Sequence, residues 1–208
     1  MNNNACKRNP KDTIIRSKHW IFDMDGTLTQ HMHDFVGMRR QLGLPDDMMM
    51  LEAIDTLPEK EAADLHQKLE RMELEYAEKA QPMPHIHDFL EILLNNNVRI
   101  GILTRNTLAV AQRTLEVCGL SHFFHPQYIL DRRICPPKPS PAGILRLLED
   151  WQAQPQDTVM VGDYLFDLEA GRNAGVHTVH IDTRGELTWP QHTDIRIGCF
   201  TQLLQCLN

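Results

Sequence analysis

Two aspartates stand two positions apart at the end of an apolar run near the start of the chain. Residues 20–22 are typical of a short buried strand, and Asp23, Asp25 and a glycine turn follow them. Because side chains at i and i+2 of a strand point the same way, we expect both carboxylates on one side. Carboxylates held so close repel each other unless a divalent cation neutralises them or one is protonated. The pair indicates metal-assisted chemistry with one nucleophilic or ligating carboxylate and one proton carrier; an ordinary strand-to-turn exit is the alternative.

A second acidic pair follows another apolar run. Residues 159–161 lead into a glycine and Asp163, and Asp167 comes four positions later. If a helix begins there, the i,i+4 spacing places both carboxylates on one side, where they offer the hard oxygens that Mg²⁺ prefers. The alternative is that aspartate in a first helical turn is favoured by the helix dipole alone.

Two more polar residues lie beside predicted elements. Thr104 ends the apolar run 100–103, where its hydroxyl and the N–H groups of the next helix could bind an anion. A helix cap by Asn106 or Thr107 is the plainer interpretation. Lys138 lies in the proline-rich stretch 135–141, which restricts its backbone; an idle surface lysine is the alternative. In parallel sheets ligands bind beyond the carboxyl ends of the strands, which is where these residues fall.

These four stretches resemble the motifs of the haloacid dehalogenase-like superfamily, in its phosphatase form. DMDGTLT at residues 23–29 resembles the first motif, and the stretches at Thr104, Lys138 and Asp163 resemble the other three, in the same order. The resemblance covers residues 18–29 and 84–185, and is weak over the segment between them. It implies phosphoryl transfer through an aspartyl-phosphate in a phosphoglycolate phosphatase-like enzyme.

The resemblance also implies a role for each residue. Asp23 is the nucleophile, Asp25 the acid and base, and Thr104 and Lys138 stabilise the phosphoryl oxygens. The substrate-binding set is Thr104, Arg105, Asn106 and Lys138. Mg²⁺ is the implied cofactor, with the metal set Asp23, Asp25 (through its main-chain carbonyl), Asp163 and Asp167.

The second aspartate of the first motif separates functions within the superfamily. Dehalogenases resemble the pattern without it and ion-pumping ATPases carry threonine there, so Asp25 favours a phosphatase or a phosphomutase. We expect a small phosphomonoester as substrate: phosphoglycolate-like, a sugar phosphate or a nucleotide. A phosphomutase or phosphotransferase of the same fold, or a non-catalytic binding protein, are the alternatives.

Strand and helix patterns predict an α/β fold with a doubly wound parallel sheet and a small all-helical cap after the first strand. We expect a mobile tail over 1–12, an α/β core over 13–29 and 84–208, and the cap over 30–83. Predicted cap helices span 34–42, 46–56 and 59–80, with Pro45 and Pro58 near helix starts and an apolar stripe at Leu65, Leu69, Met72 and Tyr76. In the core we expect strands at 98–103, 127–130, 158–161, 178–181 and 195–197, and helices at 86–95, 108–118, 142–150, 167–173 and 201–207.

Composition excludes several function classes. A net charge of -7 argues against a nucleic-acid-binding surface. We expect no secretory signal and no membrane span, since the start is polar and no apolar run approaches the roughly 20 residues a span needs. The five scattered cysteines fit a reduced, cytoplasmic compartment.

Two near-identical stretches bracket the expected cap. Each has the pattern His-x-His-Asp-Phe, at 31–35 and at 85–89. The histidines could line the mouth of the cleft or bind a second metal. We favour the other interpretation, in which each stretch starts a helix with exposed histidines and an inward phenylalanine.

Overall fold

A single sheet of six parallel strands forms the centre of the protein. The computed structural model describes residues 10–185 and 189–207. Its strands are β1 His19–Phe22, β2 Arg99–Leu103, β3 Ile129–Leu130, β4 Thr158–Gly162, β5 His177–Ile181 and β6 Ile195–Ile197. They lie in the order β3-β2-β1-β4-β5-β6, and every neighbouring pair is parallel. The predicted doubly wound α/β fold is confirmed.

The strand order reverses between β1 and β4. The chain runs from β1 to one edge of the sheet through β2 and β3, then returns to the other side of β1. Trp20 in β1 is therefore paired with Ile100 on one side and with Val159 on the other. In doubly wound sheets ligands bind beyond the carboxyl ends of the strands at such a reversal.

Helices cover both faces of the sheet. They are α1 Pro10–Ile15, α2 Phe35–Leu42, α3 Met50–Asp55, α4 Glu59–Ala77, α5 Ile86–Asn95, α6 Leu108–Val117, α7 Ala142–Trp151, α8 Leu165–Ala174 and α9 Thr201–Leu207, with 3-10 turns at Ser121–Phe123, Pro126–Tyr128 and Pro155–Asp157. Side chains alternate along β1: Trp20 and Phe22 pack with α5, α6 and α9, whereas Ile21 packs with α7 and α8. This alternation fixes which side of the strand end Asp23 occupies.

Residues 35–77, which contain α2, α3 and α4 and are here called the helical segment, have an apolar cluster of their own. It contains the buried side chains Met38, Leu42, Leu51, Ile54 and Leu69. Leu65, Met72 and Tyr76 pack against it, so the stripe predicted on α4 is confirmed.

Some predicted helix ends are wrong by a few residues. α3 begins at Met50 instead of residue 46, because the carbonyl of Asp46 bonds Arg39 Nη1 at 2.7 Å and holds a turn. α8 begins at Leu165, ahead of Asp167, because the Asp167 carboxylate accepts the N–H of Tyr164 and caps the helix start.

At the N-terminus, α1 begins within the segment predicted as a tail, and residues 1–9 of that segment lie outside the described residues. Across the described part of the chain, no helix combines the length and apolar character that crossing a membrane requires.

Candidate active site

Three aspartates converge at the carboxyl ends of β1 and β4. Asp23 directly follows β1, Asp163 directly follows β4, and Asp167 lies in the first turn of α8. One carboxylate oxygen of each lies within 4.8 Å of the other two. The groups predicted from two separate motifs therefore form one cluster, here called the acidic cluster.

Two glycines give the acidic cluster its space. Gly26 has a φ of +83°, a conformation that side chains rarely adopt, and a Cβ there would stand 2.6 Å from Asp163 Oδ2. A Cβ at Gly162 would overlap the side chain of Asp167. The glycines beside the aspartates thus let the carboxylates approach each other.

Lys138 is buried against the acidic cluster, with 2% of its surface exposed. Its ammonium donates to the Asp23 carboxylate and lies 2.6 Å from Asp167 Oδ1. Its carbonyl accepts Arg105 Nη1 at 2.7 Å, and the Lys138–Pro139 peptide bond is cis. Burial lowers the pKa of Lys138, but the carboxylates of Asp167 and Asp23 outweigh it and raise the pKa, so the ammonium stays charged.

The charge of the acidic cluster exceeds what Lys138 neutralises. Burial raises the pKa of Asp23 against the opposing effect of Lys138. Burial, with the charges of Asp23 and Asp167, raises the pKa of Asp163 well above its ordinary value. Burial also raises the pKa of Asp167 to about 6. Close carboxylate oxygens with excess negative charge are the ligand set that Mg²⁺ prefers, so these residues fit that ion.

We expect the metal-free protein to lose stability as the pH rises from about 4 to about 6. Over this range, bounded by the ordinary pKa of 3.8 and the folded pKa of about 6 for Asp167, the native state holds more protons than the unfolded state. The free energy of unfolding then falls with rising pH. Asp163→Asn should flatten this fall and stabilise the metal-free protein near neutral pH by on the order of 1 kcal/mol. Urea unfolding in EDTA at several pH values measures this.

The same urea unfolding experiments, with Mg²⁺ in place of EDTA, complete this test. Mg²⁺ should stabilise the wild-type protein more strongly near neutral pH than in acid, because it binds deprotonated carboxylates. It should stabilise Asp163→Asn much less. The exposed Asp150→Asn is the matched control. Equal pH slopes and equal Mg²⁺ responses in Asp163→Asn and the wild type would contradict the expectation.

The Asp25 side chain lies outside the acidic cluster but lines the same cavity. Its Oδ2 accepts Asn106 Nδ2 at 2.7 Å, and its Oδ1 lies 3.7 Å from His33 Nδ1. Thr104 is buried, and its hydroxyl oxygen accepts the N–H of Asn106 at 3.1 Å. That hydroxyl keeps its own proton to donate. Of the two residues considered as caps of α6, Thr107 fills that role.

A cavity of about 440 Å³ opens over these groups. All the residues predicted to form the site line it: Asp23, Asp25, Thr104, Arg105, Asn106, Lys138, Asp163 and Asp167. The helical segment supplies another wall, with Phe35, Arg39, Met49, Met50, Leu51, Leu69 and Glu73. The cavity therefore combines a polar floor at the strand ends with a mainly apolar wall from the helical segment.

Arg105 connects the polar floor of the cavity to the wall that the helical segment provides. Its Nη2 lies 2.7 Å from both carboxylate oxygens of Glu52 in α3, and its guanidinium lies 5.1 Å from the ring centre of Phe166. Glu52 was not predicted from the sequence, because nothing in the local pattern of α3 indicates which core residue it will meet.

Glu73 on α4 is a second residue that sequence analysis missed. It is 7% exposed, and its Oε1 accepts Arg132 Nη1 at 2.7 Å. A signal was present in the sequence: Glu73 follows Leu69 by four positions, so it falls beside the stripe expected to be buried. Burial, opposed by Arg132, raises the pKa of Glu73 to about 7.

The two histidine stretches differ from each other. For the first stretch the favoured interpretation is only partly correct: a helix starts at Phe35 and His31 is exposed, but Phe35 is 51% exposed. His33 stacks on Phe35 and lies tilted against Tyr76, and His31 Nε2 lies 3.5 Å from Asp163 Oδ2. The favoured interpretation fails there in its inward phenylalanine, because Phe35 lines the cavity rather than the core. It is correct for the second stretch, where His85 is exposed and Phe89 is buried.

Comparisons with known proteins agree with this fold and site. Residues 36–181 match the model of the haloacid dehalogenase-like hydrolases. An uncharacterised hydrolase of Saccharomyces cerevisiae is 31% identical over 194 residues, which cover 90% of this chain and 89% of the relative. A phosphoglycolate phosphatase of Aquifex aeolicus is 27% identical over 174 residues, with 76% and 81% covered.

A solved structure supports the same fold. The crystal structure of a predicted phosphoglycolate phosphatase from Haemophilus somnus matches with a TM-score of 0.73 at 21% identity, covering 93% of this chain and 99% of that one. Fold and site thus define a hydrolase with a doubly wound α/β core. The chain belongs to the haloacid dehalogenase-like hydrolase family. The expected resemblance to the phosphatases of this family is confirmed by the relative from Aquifex aeolicus.

Proposed function

We propose that this protein is a Mg²⁺-dependent phosphatase that hydrolyses a small phosphomonoester through an aspartyl-phosphate on Asp23. The observation that carries the proposal is the convergence of Asp23, Asp163 and Asp167 around the buried Lys138. Phosphoryl transfer depends mainly on positioning and on stabilising negative charge, and this arrangement supplies both.

The proposed reaction has two steps. An Asp23 carboxylate oxygen bonds to phosphorus as the bond from phosphorus to the alcohol oxygen breaks, and Asp25 gives its proton to the leaving oxygen. Asp25 then takes a proton from a water molecule that attacks phosphorus, which releases inorganic phosphate and restores Asp23. The contact of Asn106 with Asp25 orients the acid, since the amide fixes one carboxylate oxygen at 2.7 Å.

Two hydrogen-bond donors share the cavity with Asp23. The Lys138 ammonium and the Thr104 hydroxyl both line the cavity floor beside Asp23. We propose that they offset the charge on the phosphoryl oxygens as it develops.

Mg²⁺ would be held by Asp23, Asp163 and Asp167, with the main-chain carbonyl of Asp25. When bound, it supplies charge neutralisation to the phosphoryl group and to the carboxylates around it.

We propose that residues 30–83 act as a cap on the core formed by 13–29 and 84–208. Contacts across the cavity support this role. Besides the Glu52–Arg105 pair, Glu70 of α4 bonds Thr107 at 2.7 Å and Arg133 at 2.9 Å. A cap closed in this way excludes water from the nucleophile and surrounds the leaving group. The cavity size fits a small ester, such as a phosphoglycolate-like compound, a sugar phosphate or a nucleotide.

Phosphate release from a panel of small phosphomonoesters tests the proposal. With Mg²⁺ we expect release from at least one ester, and with EDTA we expect it to fall to the background rate. Mg²⁺ added back in excess over EDTA should restore it. No release from any ester by folded, Mg²⁺-stabilised protein would contradict the proposal. Movement of phosphate between two positions of one sugar, without release, would indicate a phosphomutase instead.

We also propose a cytoplasmic location and small-molecule partners, without nucleic acid or membrane. The net charge of -7 and the scattered cysteines support this proposal.

A further inference from the structure

Glu73 presents one carboxylate oxygen that nothing in the described structure satisfies. Its Oε2 is buried and has no hydrogen-bond partner. The residue lines the cavity, on the wall that the helical segment provides. A buried oxygen without a partner is costly, so such a group in a cavity wall indicates a ligand that donates to it.

The other half of the carboxylate is fixed. Oε1 accepts Arg132 Nη1 at 2.7 Å, and the same nitrogen donates to the carbonyl of Arg105 at 2.9 Å. Both side chains are nearly buried. Arg132 therefore determines the orientation of Glu73 and leaves Oε2 without a donor among the described residues.

Glu73 differs chemically from its neighbours in this wall. Within the described helical segment, the other lining residues are the apolar Phe35, Met49, Met50, Leu51 and Leu69, and the cation Arg39. Glu73 is the one carboxylate among them. If the phosphoryl group of a phosphomonoester met Asp23, its alcohol portion would occupy the same cavity that Glu73 lines.

We propose that Glu73 is a specificity-determining residue that accepts a hydrogen bond from a hydroxyl or amino group on the alcohol portion of the substrate, and disfavours a carboxylate there. This inference rests on the proposed phosphatase function. It selects among the substrate classes: polyol, sugar or amino-alcohol phosphates are favoured, and phosphoglycolate is disfavoured. Burial raises the pKa of Glu73 to about 7 against the opposing effect of Arg132, which agrees with a buried carboxyl group that Arg132 satisfies only in part.

Glu73→Gln tests the proposal, because it reverses the polarity of the group without changing its size. Arg132 can only donate, so it retains the amide oxygen, and the amide nitrogen takes the place of Oε2. The cavity then receives a donor where it had an acceptor. We expect kcat/KM for glycerol 3-phosphate to fall about tenfold, and that for phosphoglycolate to rise or stay constant.

Three comparisons make the result decisive. In Glu73→Gln, kcat/KM for O-phosphoethanolamine should fall more than kcat/KM for glycerol 3-phosphate if an ammonium is the natural donor. It should fall less if a hydroxyl is the natural donor. p-Nitrophenyl phosphate, whose leaving group has no donor, should keep its kcat within about twofold. Glu70→Gln, one turn earlier on α4 and bonded to Thr107 and Arg133, is the matched control and should leave the substrate ranking unchanged.

The outcomes separate this inference from the proposed function. If the wild type releases phosphate but Glu73→Gln gives the same ratio of glycerol 3-phosphate to phosphoglycolate activity, the role of Glu73 is refuted and the phosphatase stands. If neither protein releases phosphate from any probe, the proposed function itself fails. If Glu73→Gln does not fold, Glu73→Asp replaces it in a binding experiment. Calorimetry then compares the binding of each ester to two inactive proteins: Asp23→Asn, and Asp23→Asn combined with Glu73→Asp. Unchanged relative affinities there would refute the role of Glu73.

Discussion

Asp23→Asn is expected to lower phosphate release at least about 1,000-fold while the fold is retained. The amide has the shape of the carboxylate but does not attack phosphorus. The loss should appear in kcat for every ester, because the nucleophile acts in the same step whatever the leaving group. Single-turnover kinetics with acid quenching should trap phosphate on the wild-type protein and none on the variant.

Two variants make that result specific. Asp25→Asn keeps the nucleophile and removes the proposed acid and base, so it should still form phosphorylated protein, which then persists. The exposed Asp150→Asn should behave as the wild type. If Asp23→Asn retained a tenth of the wild-type rate, Asp23 would not be the nucleophile.

Lys138→Met is expected to affect activity and stability together. Its ammonium is buried between Asp23 and Asp167, so its loss leaves those carboxylates without their counter-charge. We expect the free energy of unfolding of the metal-free protein to fall by about 3 kcal/mol near neutral pH. We expect kcat to fall at least about 100-fold, because no ammonium then offsets the charge on the phosphoryl oxygens.

Mg²⁺ separates the two effects of Lys138→Met. Added Mg²⁺ should recover part of the lost stability by neutralising the acidic cluster, but should not recover kcat. Urea unfolding with and without Mg²⁺, beside steady-state phosphate release, measures both. Lys18→Met makes the same substitution at an exposed position and is the matched control. A Lys138→Met variant with wild-type stability in EDTA would contradict the charge argument.

The floor of the cavity could be predicted from sequence because it depends on local patterns and one general rule. Apolar runs that stop at Asp23, Thr104 and Asp163 identify strand ends, and parallel strands bring such ends to one edge of a sheet. The rule does not require knowledge of the strand order. Lys138 was predictable for a different reason, since its proline-rich loop resembles a motif of the family.

The wall that the helical segment provides could not be predicted in the same way. Glu52 and Glu73 meet Arg105 and Arg132 across the cavity, and each pair joins residues more than 50 positions apart. Helical periodicity indicates which side of α4 is apolar, but not the core residues that this side approaches. Phe35 illustrates the same limit: its spacing predicts burial, whereas its position over the cavity leaves it half exposed.

The central position of β1 makes activity a property of the whole chain. Asp23 and Lys138, which touch in the cavity floor, are 115 positions apart, and β4 must add to β1 before Asp163 reaches them. No fragment that starts at residue 1 and ends before residue 167 holds the acidic cluster, although one that passes residue 29 holds the first motif complete. Asp23 precedes Lys138 and Asp163 in the chain by more than 100 positions, so during synthesis the cluster can form only after all of them have been made. Recovered catalysis after denaturation would therefore report the completed sheet, rather than any part of it.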